Sequence, residues 1–260
     1  MLTDVLAALP AVTLAEMDAV KLMNRTDTKY VTTLSVLEEI LRRAAQKGYR
    51  ALETEGTKLC PYNSTYFDTP GLRMFTDHRN RKLTRQKVRT RIYMNSGLTF
   101  LEIKRKNNRG RTKKKRTAVP EAAFHDFRSF PEAASYLAEK SDFTVDVISP
   151  ALETRFDRIT LVNPAMTERL TLDTALRFHN NRTGADASLG DGVIIELKQD
   201  GRATSDMREI LRELRVKPLR VSKYCIGTVL TDPSCRPGRF KLKIRKIEKV
   251  INTQLICIKD

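Results

Sequence analysis

The sequence predicts an α+β protein built on a curled antiparallel sheet with flanking helices. Three observations carry this. At least seven runs alternate charged and apolar residues at period two, the signature of strands with one apolar face. Two or three helical segments interrupt them without a strand–helix–strand rhythm, which argues against a parallel sheet. The 260 residues are 40% hydrophobic with only 11 Gly and 10 Pro, enough for a sizeable core.

Residues 1–24 read as a helical lead-in anchored by Leu2, Val5, Leu6, Leu14, Met17, Val20 and Met23. Arg25–Val31 is a polar strand with Arg25, Asp27 and Lys29 on one face. Ser35 and Glu38 are spaced as a capping box that opens a helix with Val36, Leu37, Ile40, Leu41 and Ala44 on one stripe, closing near Gly48. Tyr62–Thr69 is a β-type run ended by Pro70-Gly71, and Leu72–His78 a short turn or helix. In Lys87–Tyr93, Lys87, Arg89, Arg91 and Tyr93 share a face opposite Val88, Thr90 and Ile92. In Leu101–Lys106, Glu102, Lys104 and Lys106 oppose Leu101 and Ile103, and Asn95-Ser96-Gly97 makes the hairpin between the two runs. After a second turn at Asn107–Gly110, Lys113–Val119 returns as a third basic strand.

Phe124–Lys140 looks helical, with Ser129 and Glu132 as a further capping box. Thr154–Leu161, Arg169–Ala175 and Gly192–Asp200 are again strand-like, and Glu196 and Lys198 share a face with Ile194. Thr204–Arg215 is an amphipathic helix stopped before Pro218. The division expected is a lead-in over 1–24, a principal domain over 25–230 and a basic tail over 231–260. The tail is left open between a packed element and a mobile one.

Charge narrows the function. Between Arg79 and Arg116 stand sixteen Lys or Arg against a single acid, Glu102, which places +15 of the formal +17 in one window. Such an excess calls for an anionic partner: nucleic acid, an anionic membrane or a phosphorylated small molecule. Cations turned outward would be a solvated face. Turned inward, each like pair at about 4 Å would cost on the order of 4 kcal/mol unless an anion filled the space. Composition leaves that choice open. Cys60, Cys225, Cys235 and Cys257 form no CxxC pair and read as reduced thiols of a cytoplasmic protein. Asp4, Pro10, Glu16 and Asp18 interrupt any signal-peptide core, and no apolar run approaches the roughly 20 residues of a transmembrane span. Nucleic acid is not expected: there is no Trp, aromatics are 7%, and no recognisable binding motif occurs. NRGRTKKK also lacks the spacing and context of a phosphate-binding glycine loop.

Taken together and in order, RTDTKY, YFDT, KVRTRIY, LEIKRK, RFDRITL, RLTLDT, IIELK and SKY resemble the VTC domain. That is the polyphosphate polymerase domain of the vacuolar transporter chaperone complex, within the CYTH-like triphosphate tunnel fold. The resemblance spans about residues 14 to 230. It implies an antiparallel β-barrel, a tunnel lined with Lys and Arg, that transfers the terminal phosphoryl group of ATP to polyphosphate with Mn²⁺ or Mg²⁺. Matched motif by motif, it implies that Lys29, Arg89, Arg91, Lys104, Arg158, Arg169 and Lys223 are site residues and that Glu196 holds the metal. Lys115 is the candidate for the next lining cation, with Lys113 and Lys114 as alternatives; His78, Lys87 and Lys198 are further candidates for phosphate contact.

One departure is informative. Tunnel-fold hydrolases and cyclases open with Glu-x-Glu-x-Lys, whereas this chain has Arg25-x-Asp27-x-Lys29. A cation in place of a metal ligand weakens the hydrolase or cyclase reading. A non-catalytic module binding polyphosphate or nucleotide, and a triphosphate hydrolase of the same fold, remain the alternatives.

Overall fold

The computed structural model describes residues 2–18, 25–201 and 204–255. In chain order the elements begin with α1 (Leu2–Ala7), β1 (Ala11–Val12), α2 (Leu14–Asp18), β2 (Arg25–Thr33), α3 (Leu34–Gln46) and β3 (Arg50–Leu52). Next come β4 (Cys60–Asp68), α4 (Arg73–Arg79), β5 (Arg85–Tyr93), β6 (Thr99–Lys106) and β7 (Thr112–Val119). A 3₁₀ turn at Glu121–Ala123 leads to α5 (Pro131–Lys140), then to β8 (Ser149–Val162), β9 (Glu168–Asn180), β10 (Asp186–Ser188) and β11 (Gly192–Asp200). The chain ends with α6 (Asp206–Glu213), α7 (Lys223–Thr231) and α8 (Phe240–Ile251). The lead-in is thus two short helices around a short strand; Val20, Met23 and Cys257 lie outside the described residues.

One sheet organises the molecule, in the order β2-β11-β9-β8-β4-β5-β6-β7, and its neighbours along this path are antiparallel. The period-two alternation decides which side is which. On the outer face Ile159, Leu161, Leu170, Leu172, Ile195 and Leu197 pack under Leu37, Ile40 and Leu41 of α3 and Met207, Ile210 and Leu211 of α6. Further round, Val88, Leu101 and Ile103 pack under Phe127, Ala133 and Leu137 of the α5 region. The apolar faces therefore point outward into helices, and the charged faces of the same strands point inward. Burying each such aliphatic side chain is worth about 1.5–3 kcal/mol, which fixes the orientation of the strands that carry them.

The sheet curls but is not closed by hydrogen bonds between β2 and β7. β2 gives its free edge to the segment before α7: Leu219 N–H donates to the Lys29 carbonyl at 2.7 Å, and Tyr30 bridges to Pro218. β7, rich in lysine, keeps its outer edge exposed, as charged edge strands do. One end of the interior is filled by α7 and α8. Tyr224, Cys225, Ile226, Phe240, Ile244 and Ile247 pack there with Val31, Tyr62, Tyr66 and Phe156 from the strands. The basic tail is thus partly a packed helix with cations on its outer side.

Several local expectations are corrected. The cap of α3 is Thr33, whose hydroxyl accepts from Val36 N–H at 3.5 Å, because the chain turns into helix directly from β2; Ser35 is already inside the first turn. Pro131 opens α5 from Phe130, so no Ser129–Glu132 box forms and Phe124–Lys140 is helical only over its second half. At α7, Ser222 is the cap, accepting from Cys225 N–H at 3.3 Å.

Candidate functional site

The inner face is set by register. β5 and β6 place Arg89 opposite Glu102 and Lys87 opposite Lys104; β6 and β7 place Lys104 opposite Lys114 and Glu102 opposite Arg116. Across the curl, Glu196 of β11 faces Lys29 of β2, and Lys198 lies between Asp27 and Arg169. β8 and β9 bring Arg158 beside Asp173. Thus Lys29, Lys87, Arg89, Arg91, Lys104, Arg158, Arg169, Lys198 and Glu196 all occupy the inner face, joined by Lys223 from the first turn of α7.

Two clamps are held by buried carboxylates. Arg89 donates through Nε at 2.8 Å and a terminal nitrogen at 2.5 Å to Glu102, which is 0% exposed, and its other terminal nitrogen donates to the Tyr66 hydroxyl at 2.9 Å. Lys114 Nζ reaches the second oxygen of Glu102 at 2.9 Å. Burial would raise Glu102, but Arg89, Arg91, Lys114 and Lys104 outweigh it and hold the carboxyl far below the usual range. Arg158 makes a bidentate pair with Asp173 at 2.6 and 2.9 Å, and Lys223 bonds the same carboxylate. Asp173 is likewise held ionised, Arg158 and Lys223 overcoming its burial.

Arg91 differs. Its Nε donates to Ser64 Oγ at 3.0 Å, and its guanidinium lies 5.3 Å from the Tyr62 ring centre and 5.7 Å from that of Phe156. Among the described residues it has no carboxylate partner, so its terminal nitrogens remain available to an anion. Burial and the neighbouring Arg89 bring it down to about 10. Arg158 stacks on the same rings at 5.0 and 5.2 Å, and Lys223 sits 4.3 Å from the centre of Phe156. An aromatic floor thus positions cations whose charges repel one another. Lys104 is pulled well below the usual lysine range, first by Arg89 and then by burial, and Lys223 is pulled by burial to about 8. Tyr66 falls to about 8 although burial opposes it, because Arg89, Lys87, Arg91 and Lys223 surround its hydroxyl. Burial leads for Arg91 and Lys223, and crowding by neighbouring cations leads for Lys104 and overcomes burial at Tyr66, so both leave the interior short of negative charge.

Glu196 is the inner carboxylate held loosely. It lies 3.4 Å from Lys29 and 3.7 Å from Lys198, longer than the roughly 2.7–3.2 Å of a hydrogen bond. Lys29, Lys198, Lys104 and Arg158 keep it ionised against its burial. Among the described residues no group of three or more His, Cys, Asp and Glu could hold a metal. The donor set therefore fits a divalent ion shared between Glu196 and phosphate oxygens of a ligand, the usual manner of Mg²⁺, and does not fit a metal caged by protein alone.

Two of the candidates, Lys115 and His78, fall elsewhere. Lys115 pairs with Ile103 and points to the outer face; the hairpin register puts Lys114 and Arg116 inward instead. His78 sits on α4 with its ring 5.8 Å from Phe240, and its Nδ1 is buried without a partner. Burial and then Lys87, Arg85, Arg239 and Lys243 depress it to about 2, so it is a neutral ring beside α8, off the lining strands. Lys87 reaches Ser222 Oγ at 2.8 Å, and Arg169 Nε is buried without a partner. Lys114 stood in the sequence reading only as an alternative to Lys115, and Tyr66, Ser64 and Asp173 were not singled out. Alternation in RLTLDT would have placed Asp173 with Arg169, and counting back from the Asn107–Gly110 turn would have chosen Lys114.

A curled antiparallel sheet with this interior is a triphosphate tunnel. The chain belongs to the VTC domain family, whose model matches residues 24–231. Among solved structures it is similar to a "putative adenylate cyclase" from Bacillus halodurans, at 12% identity and a TM-score of 0.50, covering 77% of this chain and 96% of that one. A "putative adenylyl cyclase" from Hippeastrum, described as having a dominant triphosphatase activity, is 14% identical with a TM-score of 0.49, over 80% of this chain and 96% of that one. A search of curated proteins gives no match. Membership of this family indicates a function on triphosphate-containing compounds with a divalent metal as cofactor, and the solved structures show the fold.

Proposed function

We propose that the chain is a polyphosphate polymerase that transfers the terminal phosphoryl group of ATP to a growing polyphosphate chain. The observation that carries this is the crowding of Arg91, Arg89, Lys104, Arg158 and Lys223 around an interior that offers them too few acids. An oligophosphate supplies the missing charge along its length. Arg91 has free donors for a bidentate grip on phosphate oxygens, and the lysines act as point charges.

In the transfer, an oxygen of the polymer's terminal phosphate forms a bond to the γ-phosphorus. The bond from that phosphorus to the oxygen bridging it to the β-phosphate breaks, and ADP leaves. Catalysis is then positioning and stabilisation of charge on the phosphoryl oxygens, for which a rigid cationic wall is sufficient. Glu196 would hold the divalent ion, which when bound neutralises charge between the terminal phosphates. Asp173 and Glu102 orient the arginines without contacting substrate. Arg25-x-Asp27-x-Lys29 and the absence of a carboxylate cluster among the described residues favour transfer over two-metal hydrolysis. None of the described helices is long and apolar enough to cross a membrane.

Incubation with ATP and Mn²⁺ tests this reading. ADP release should match phosphate incorporated into polymer resolved on a gel. ADP with an equal amount of free phosphate and no polymer would replace the polymerase by a hydrolase. Binding of tripolyphosphate without turnover would leave a binding module.

A further inference from the structure

The basic run Arg109–Arg116 is cationic on both faces of its strand, and the tunnel uses only one. While Lys114 and Arg116 point inward, Lys113 stands opposite Arg105 and Lys115 opposite Ile103 on the outer face. There, β6 and β7, the α4–β5 segment and the end of α5 enclose a cavity of about 410 Å³, lined among others by Arg85, Arg105, Lys106, Arg111, Lys113 and Lys115. Its acids are already engaged: Asp142 with Arg105 at 2.9 Å, Asp77 with Lys82 at 3.5 Å, and Glu139 with Lys140. Lys106, Arg111, Lys113 and Lys115 make no ion pair among the described residues. Asp142 offsets Arg105, but nothing offsets Lys113 beside it, and like charges facing each other across a strand pair destabilise a sheet, so the surplus cations of this face favour an added anion.

The cavity shares two lining residues, Arg85 and Lys106, with the strands of the tunnel. Lys87 and Lys104 are a facing pair inside it, and two residues further along the same strands Arg85 faces Lys106. That second pair stands at the tunnel's lip and also lines the outer cavity.

We propose that the outer face of β6 and β7 carries a second polyanion site, a groove that takes a polyphosphate chain beyond the tunnel's lip, with Lys113, Lys115, Arg105 and Arg111 as its phosphate contacts. This rests on the polymerase reading for the identity of the ligand. A concave site of about 410 Å³ that shares lining residues with the tunnel strands suits one flexible polymer better than a membrane surface or a duplex. The site holds chains too long for the tunnel alone, so that a long product stays tethered between transfers.

Calorimetry at fixed ionic strength, with tripolyphosphate and with long-chain polyphosphate, tests it on the full chain. Lys113→Ala/Lys115→Ala should weaken long-chain binding about fivefold to tenfold. It should leave tripolyphosphate unchanged, and Lys113→Arg/Lys115→Arg should restore long-chain affinity. Unchanged long-chain affinity in the alanine variant overturns the groove, and an equal loss for tripolyphosphate makes it part of the tunnel. If a single-stranded oligonucleotide displaces long-chain polyphosphate from the wild type but not from the alanine variant, the groove is a nucleic-acid surface. Failure of the wild type to bind tripolyphosphate would strike at the tunnel reading, a separate outcome from any of these.

Discussion

Arg91 and Glu196 have opposite parts to play at the scale of single residues. Arg91→Ala removes a buried guanidinium that has no carboxylate partner among the described residues, so triphosphate affinity and turnover should both fall, by about tenfold or more in affinity. Glu196→Gln removes one negative charge near the phosphates; metal-free tripolyphosphate binding should be kept or tightened while turnover collapses. Calorimetry with and without Mn²⁺ separates the two, and equal loss of metal-free binding in both variants would make Glu196 a structural partner of Lys29. Glu102 has a third role. Glu102→Gln leaves Arg89 buried without its counter-charge and should cost about 3–5 kcal/mol of stability, read from denaturant unfolding.

The pH dependence also belongs to single residues. Burial brings Lys223 in the folded protein to about 8 from a model-compound value of 10.5. Between those values the unfolded chain carries more protons than the native one, so the contribution of Lys223 to stability rises with pH through that window. Phosphate binding does the reverse, because the ligand prefers charged Lys223. Melting profiles of wild type and Lys223→Met from pH 7.5 to 10.5 should diverge in the stated sense, and ligand binding near pH 8–9 should take up protons. Parallel profiles with no proton uptake would contradict the assignment.

Among the elements, α7 does most to shape the site, carrying Lys223 at its start and closing the interior with Tyr224, Cys225 and Ile226. Its close seating depends on Gly227: a Cβ there would lie 2.5 Å from Phe178 and 2.7 Å from Leu152. Gly227→Ala should therefore cost about 1–3 kcal/mol, lowering the melting temperature by about 2–4 °C per kcal/mol, and should lower phosphate affinity by shifting Lys223. A variant with unchanged stability and affinity would show that α7 is free to adjust. Strands β2, β5, β6, β8, β9 and β11 were legible because apolar and charged residues alternate through them. The register was less so. It depends on hairpin lengths, which is why Lys115 stood in for Lys114 on β7, and on the bulge near Arg155 and Asp157 in the pairing of β8 with β9. α8 stayed undecided because its apolar stripe, Phe240, Ile244, Ile247 and Ile251, finds its partner only in the interior that distant strands enclose.

At the scale of the whole molecule, the strand register gathers part of the +17 charge on one inner face, while β7 and α8 carry more of it outside. Outward-packed aliphatic faces turn that inner part into one enclosure, where it destabilises the free protein and is relieved by an anion. Sequence could show the alternation but not the side that faced in, because only the assembled cores under α3, α6 and α5 settle that.

The melting temperature with and without tripolyphosphate, at low ionic strength and without metal, tests this most directly. Ligand at 100 times its dissociation constant should add about 2.7 kcal/mol to stability, and the gain should shrink in Arg91→Ala while surviving in Glu196→Gln. An unchanged melting temperature in the wild type would contradict the account, because a crowded cationic lumen cannot be indifferent to a polyanion of matching size.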